Sequence, residues 1–390
     1  MTVETYPFNA AEGLDLAPAY RRAQRTPGPV RVQLPFGEPA WLVTRHDEAR
    51  FVFADPRFSR AMAQERDSPR TTPHNPVGIV TMDPPEHTRV RTLVAKAFTA
   101  RRAERLRPWI RELLHERIDA MAAPADLVAE LALPVPIAVI CELLGVPARD
   151  RDRFQGWSEA VLSTNGLPPE QIVERTGALR TYVAELIAAR RDRPADDLMS
   201  GLVEARDEQD RLSDLELEQL CIALLVGGYE TTASQLANFA HLLLQRPGGL
   251  VELADGPDRD RRAAAWVEEL LRYVPMAAAA AMPRYAREDV AVGGQVVRAG
   301  EPVLVAIGAA DRDPGRYPDP DVLDPDRDSR GHLAFGHGVH HCVGAALARI
   351  ELQESVLALA ERLPRLRPAG EVRWKTGLFF RGPQTLPVTW

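Results

Sequence analysis

The stretch Phe335-Gly336-His337-Gly338-Val339-His340-His341-Cys342-Val343-Gly344 gathers one thiol, three imidazoles and three glycines. It runs directly into Ala345-Ala346-Leu347-Ala348-Arg349, which reads as a helix start. A cysteine just ahead of a helix N-terminus lies in positive backbone potential, which favours the thiolate. Glycines on both sides let backbone N–H groups approach the sulfur and let a flat ligand approach the chain. A thiolate so placed is a natural ligand for a metal or a haem iron. Other readings compete. A lone cysteine is most often a small buried hydrophobe. His337, His340, His341 and Cys342 are also zinc-ligand types, but no CxxC accompanies them and the spacing is too tight for a tetrahedral set. Covalent haem attachment needs CxxCH, which is absent.

Three further sets of residues have chemistry-bearing spacing. In Gly227-Gly228-Tyr229-Glu230-Thr231-Thr232 two glycines interrupt an apolar run from Cys221 to Val226, and an acid and two hydroxyls follow. Each mid-helix glycine costs about 1 kcal/mol relative to alanine, so the pair needs a reason, either a packing notch or a functional groove. Glu269 and Arg272 stand at i,i+3 on one helical face, as do His87 and Arg91 at i,i+4. Either pair alone reads equally well as an exposed polar stripe.

In combination and in this order, the motifs resemble the cytochrome P450 family of cysteine-thiolate haem monooxygenases, from about Trp41 to Trp390. The spacing Phe335, Gly338, Cys342, Gly344 is similar to the family's haem-ligand signature, which implies haem b (iron-protoporphyrin IX) with Cys342 as axial thiolate. Glu230-Thr231 resembles the oxygen-binding groove: Gly228 makes room, Thr231 supplies the hydroxyl and Glu230 relays protons. The stretch from Met82 to Arg91 resembles the family's third helix, implying that His87 and Arg91 bind haem propionates, with Arg284 and His340 as further partners. Glu269 and Arg272 match a buried structural pair, with Arg327 as the arginine that completes it and braces the cysteine loop. Asp311 stands where the family's A-N-R-D-P segment usually carries asparagine.

The resemblance further implies insertion of one oxygen atom from O2 into a hydrophobic small molecule. The chain is too short to hold a flavin domain as well, which implies a ferredoxin and an NAD(P)H-dependent ferredoxin reductase as electron donors. Arg101, Arg102, Arg105 and Arg107 are the candidate docking patch, or else a solvated face. Ala223, Val226, Gly227, Ala280 and Phe379 match the substrate pocket. The small side chains at 277–281 point to space for a large substrate, such as a polyketide or macrolide. Oxidative carbon coupling or peroxide-driven chemistry, and a metal- or ligand-binding helical protein without oxygen chemistry, are the alternatives.

These residues need a scaffold. Apolar spacing predicts helices over 16–25, 103–122, 135–144, 149–163, 170–192, 195–206 and 261–273, and another from His87 onward. The clearest begins at Ser213, where Ser213 and Glu216 form a capping box, and runs to Pro247. Strand-like segments fall at 30–34, 41–44 and 284–306, and 60–85 reads as a long loop. The expectation is a mainly α fold with a small β region, the cytochrome P450 fold, as one domain over 1–390.

Composition bounds the rest. The 390 residues are 45% hydrophobic and 26% charged, ample for a core and unlike a disordered chain. The net charge of −7 argues against a dedicated nucleic-acid binder. Only Lys96 and Lys375 are lysines among the 48 basic residues. Three cysteines are too few for a disulfide framework. No signal-like N-terminus and no apolar run of membrane-spanning length is visible, so a cytoplasmic protein is expected. It is also expected to be a monomer.

Overall fold

The computed structural model describes every residue except 1, 2, 11, 73, 74, 208–210, 247, 255–257 and 281. Pro247, the expected stop of the long helix, and Ala281, the last of the small-sided run, lie outside the described residues.

A helix of 32 residues, Asp214–Gln245, crosses the protein. At 1.5 Å per residue it is roughly 48 Å long. Its start is fixed as the sequence predicts: Ser213 Oγ accepts from the Glu216 N–H at 3.1 Å, and Glu216 Oε2 accepts from the Ser213 N–H at 2.7 Å. Nearly every position from Leu217 to Leu243 on its packed faces is buried. The helix Pro134–Leu144 lies against it, close enough that a Cβ on Gly228 would stand 2.7 Å from Ile140 Cδ1.

The helix that follows the cysteine loop, Ala345–Arg362, packs along Ala100–Ala120. Their contact is pinned by charge: buried Glu354 receives Arg107 Nη1 at 2.7 Å and Arg111 Nε at 2.7 Å. A carboxylate buried in a helix interface is tolerable only when paired in this way.

The β region is a six-stranded sheet in the order Glu4–Thr5, Val30–Gln33, Ala40–Val43, Pro302–Val305, Arg284–Ala286 and Phe58–Ser59. Three smaller sheets complete it. Two pairings matter for the site. Arg284 lies opposite Val303, and Ser59 lies opposite Tyr285 in antiparallel register, so Arg60 emerges beside Arg284.

Three expectations shift. His46–Ala54 is a helix where none is expected. Its buried His46, Ala49, Val52 and Phe53 do keep helical spacing, but over nine residues rich in poor helix formers. The segment expected as one helix over 149–163 divides into a 3₁₀ turn, Ala148–Asp150, and a helix, Arg153–Leu162. The loop over 60–85 contains two 3₁₀ turns, Ala61–Glu65 and Gly78–Thr81.

Candidate active site

Cys342 sits at the end of a tightly turned loop. Its N–H donates to the Phe335 carbonyl at 2.8 Å, closing the loop on itself. Gly336 and Gly338 both take left-handed backbone, φ +71° and +72°. Gly338 also lies so close to the helix His46–Ala54 that a Cβ would meet the Phe53 carbonyl oxygen at 2.5 Å. Phe335 is held from the other side by the Arg349 guanidinium, 4.5 Å from its ring centre.

The three cysteines differ in environment. Cys141 and Cys221 are buried, and burial pushes both thiols up to about 12. Cys342 keeps exposed surface, although it is enclosed by the loop and its neighbours. Burial raises its thiol too, but a hydrogen bond from the Gly344 N–H and the positive charges of Arg91 and Arg349 oppose that. The first two are core residues. Cys342 alone is available as a ligand.

Beside the loop lies a cluster of three arginines and two histidines. The His87 and His340 rings are 4.2 Å apart. Arg91 donates to the His341 carbonyl, tying the helix Glu86–Ala95 to the cysteine loop. Arg284 is buried with its guanidinium 4.4 Å over the Phe53 ring. Arg60 joins this group; sequence reasoning missed it because it lies at the edge of a two-residue strand in what read as a loop. Burial and the neighbouring arginines push His87 down to about 4 and His340 down to about 2. Burial likewise lowers Arg60 to about 10 and Arg284 well below the usual guanidinium range. The nearby carboxylate, Asp83, is engaged by Ser59, by the Arg60 backbone N–H at 2.9 Å and by Arg287 at 2.8 Å. An interior carrying this much positive charge lacks its counter-charge, since unpaired buried ions cost roughly several kcal/mol each. A ligand with two carboxylates and an iron centre for the thiolate fits.

The expected oxygen groove lies on the long helix with one exchange of roles. Gly227 is exposed in an otherwise buried stretch, and a Cβ there would meet nothing within 4 Å. Gly228, expected to make room, packs against Ile140 instead. Gly228 is the packing notch, and the open side belongs to Gly227. Thr231 Oγ1 donates to the Gly227 carbonyl at 2.6 Å, so the hydroxyl borders that open side. Glu230, on the adjoining face, is buried and ion-paired with Lys375.

The expected pocket residues are less uniform. Ala223 is half-buried, and Val226 belongs to the main core. Ala280 is packed among Tyr6 and Tyr20, with its N–H donating to Tyr6 Oη at 2.5 Å. Phe379 is half-buried; its N–H donates to the Leu162 carbonyl at 2.9 Å and its own carbonyl accepts from Ala278 at 2.9 Å. The segments at Leu162, Ala278 and Phe379 are therefore joined, while Val226 and Ala280 present little free surface.

The bracing pair is fully buried. Arg272 donates to both Glu269 oxygens, at 2.6 and 2.8 Å, and to the carbonyls of Asp311 and Pro320 at 3.0 Å each. Arg327 Nε reaches Glu269 Oε1 at 3.4 Å, as expected of the completing arginine. Asp311 receives the Leu333 N–H at 2.6 Å, two residues before Phe335, and burial raises its carboxyl to about 7.

The chain is 52% identical over 99% of its length, and 98% of the relative's, to mycinamicin IV hydroxylase/epoxidase from Micromonospora griseorubida. The family model for cytochrome P450 matches residues 263–363. The chain belongs to the cytochrome P450 family. It is also 49% identical over 99% of its length, and 98% of the relative's, to nocardicin C N-oxygenase from Nocardia uniformis subsp. tsuyamanensis. The crystal structure of HinD with NMFT and NO overlays it with a TM-score of 0.96 at 46% identity, covering 100% of each chain. A P450 is a haem-thiolate monooxygenase, so this chain is one, and its cofactor is haem with a cysteine as axial ligand. Like its relatives it needs a redox partner, O2 and a hydrophobic substrate. Among the described residues no helix of this P450 is long and apolar enough to cross a membrane.

Proposed function

We propose that this P450 hydroxylates or epoxidises a large apolar product of secondary metabolism, of the polyketide or macrolide kind. The observation that carries the reading is the near full-length similarity to a hydroxylase/epoxidase of mycinamicin IV. The open flank at Gly227, beside Thr231, supports it by leaving room for a bulky substrate.

Haem bound through a thiolate supplies the reductive cleavage of dioxygen and the insertion of one oxygen atom into the substrate. The chain's own residues do the rest. Cys342 provides the thiolate, held by the Phe335 carbonyl and softened by the Gly344 N–H and the nearby arginines. Arg60, His87, Arg91, Arg284 and His340 hold the propionates with charge-assisted hydrogen bonds. Phe335, Gly338 and Gly344 set the shape of the loop. Thr231 presents a hydroxyl at the open side, and Glu230 is the acid from which protons reach it. Ala223, Gly227 and Phe379 border the substrate, with Val226 and Ala280 behind them.

Electrons come from a ferredoxin and its NAD(P)H-dependent reductase. The docking patch is narrower than four arginines, because Arg107 is engaged by Glu104 and Glu354. Arg101, Arg102 and Arg105 are exposed. Lys96, Arg102 and Arg105 also line one groove with Phe98, next to Gly344. The protein works as a monomeric, single-domain cytoplasmic enzyme over 1–390.

The test is product analysis. Holoenzyme with a plant-type ferredoxin, its reductase, NADPH and a macrolide panel that includes mycinamicin IV should give products one oxygen atom heavier. Tight binding of small alkyl compounds, with no macrocycle perturbing the haem spectrum, would overturn the substrate class.

A further inference from the structure

Lys375 is one of two lysines in a chain whose other 46 basic residues are arginine. It leaves the hairpin Arg373–Trp374/Pro383–Thr385, where its N–H donates to the Gly382 carbonyl at 2.9 Å, and its side chain turns inward. Only 9% of that side chain is exposed, and 5% of Glu230. Lys375 Nζ donates to Glu230 Oε1 and, at 3.1 Å, to Ser234 Oγ. Ser234 Oγ in turn donates to Glu230 Oε1 at 3.4 Å. Among the described residues Lys375 is the only cation in ion-pair contact with Glu230. The other titratable neighbour is Tyr229, whose phenol burial pushes far above its usual range and which also feels Glu159. Glu159 is itself 3.7 Å from Arg175.

The same short turn reaches the pocket wall. Gly377, at φ +68°, accepts from the Thr164 N–H at 2.8 Å, and Phe379 is bonded to Leu162 and Ala278 as described. Only three residues therefore separate the cation on Glu230 from an aromatic residue at the substrate position. A buried ion pair of this kind is poor stabilisation, because desolvation offsets most of the attraction. It does fix the position of a carboxylate.

We propose that Lys375 is a positioning residue for Glu230: its ammonium, with Ser234, holds the side chain in place between proton deliveries, and ties that placement to the turn carrying Phe379. The inference rests on Glu230 being the proton-relay acid. When Glu230 gives up a proton toward Thr231 it returns to the carboxylate form that Lys375 stabilises, and it must then take a proton from solvent. Without the ammonium the side chain is free to leave this position, and proton delivery slows.

The test uses haem-loaded protein without substrate, a plant-type ferredoxin, its reductase and NADPH. One NADPH, one proton and one O2 yield NADP+ and one hydrogen peroxide. Peroxide release per haem is measured in H2O and in D2O, with haem content taken from the reduced, carbon monoxide-bound spectrum. Lys375→Met should slow release by about tenfold or more and raise its solvent isotope effect. Lys375→Arg should keep the wild-type rate, and Ser234→Ala should slow release by less. Glu230→Gln should slow it at least as much as Lys375→Met. A rate unchanged in Glu230→Gln overturns the relay reading itself. A rate lowered in Glu230→Gln but unmoved in both Lys375→Met and Ser234→Ala overturns the role of Lys375 alone. Should Lys375→Met fail to fold, Lys375→Gln and Ser234→Ala decide by the same criterion.

Discussion

Phe53 lies between Gly338 and Arg284. Its carbonyl oxygen would stand 2.5 Å from a Cβ at Gly338, and its ring lies 4.4 Å under the Arg284 guanidinium. One residue of a nine-residue helix thus touches both the cysteine loop and the buried Arg284 guanidinium. Gly338→Ala meets a clash and a left-handed backbone at once, and the loop must shift. The variant should lose most of its haem during purification, read as the haem-to-protein absorbance ratio, while its far-ultraviolet circular dichroism stays near wild type.

The cation cluster predicts opposite effects on the two forms of the protein. Arg284→Leu or Arg60→Leu removes a buried charge that the haem-free protein leaves uncompensated, so the Tm of the apo form should rise. The same change removes a proposed propionate partner, and haem affinity should fall by about tenfold or more, the equivalent of roughly 1.4 kcal/mol. Thermal melts of the apo form and haem transfer to apomyoglobin measure the two effects separately. A parallel fall in both would mean that the cluster is only structural.

Gly227 and Gly228 should part company on substitution. Gly228→Ala pushes into Ile140, whose Cγ1 and Cδ1 would be 2.9 and 2.7 Å from the new carbon, and should lower Tm. Gly227→Ala enters open space and relieves a glycine within a helix, which is worth about 1 kcal/mol of stability. It should preserve or raise Tm and weaken the spectral response to bulky ligands, because the new methyl projects into the open side beside Thr231.

Asp311 predicts a pH effect on stability. Burial raises its folded carboxyl to about 7, above the 3.8 expected when unfolded. The folded state therefore binds a proton that the unfolded chain releases, and its contribution is complete below about pH 4 and lost as pH rises toward 7. Asp311→Asn removes this loss and keeps an acceptor for the Leu333 N–H. The variant should be more stable than wild type at pH 8, by on the order of 3 kcal/mol, with the gap closing by pH 4. Denaturant melts across that range check the sign.

Charge reversal at Arg102 and Arg105 should raise the ferredoxin KM by about tenfold and flatten its dependence on salt, leaving hydrogen peroxide-driven turnover unchanged. Arg107→Glu should behave differently. It breaks contact with buried Glu354 and should lower Tm whatever the electron donor.

What the sequence made legible is local. Ser213 and Glu216 announce the long helix because a capping box lies within four residues. Cys342 and its glycines stand in one stretch, and His87 with Arg91 span one helical turn. What stayed hidden depends on distance or orientation. Lys375 reaches Glu230 across 145 positions, and no spacing encodes that contact. Arg60 gains its place from a strand of two residues, too short for any alternating pattern. Gly227 and Gly228 are identical in composition, and only the packing of Ile140 shows which one is open. Val226 and Ala280 were expected to line the pocket, but they are mostly spent on core packing, which a list of small apolar residues does not distinguish.

The most direct measurement is the absorption spectrum of the reduced, carbon monoxide-bound protein, taken for wild type and for Cys342→Ala. Wild type should give the red-shifted Soret band of a thiolate-ligated haem, and Cys342→Ala should lose that band together with all oxygenase activity. A wild-type spectrum without the band, or a band that survives in Cys342→Ala, would contradict the assignment of Cys342 as the haem ligand.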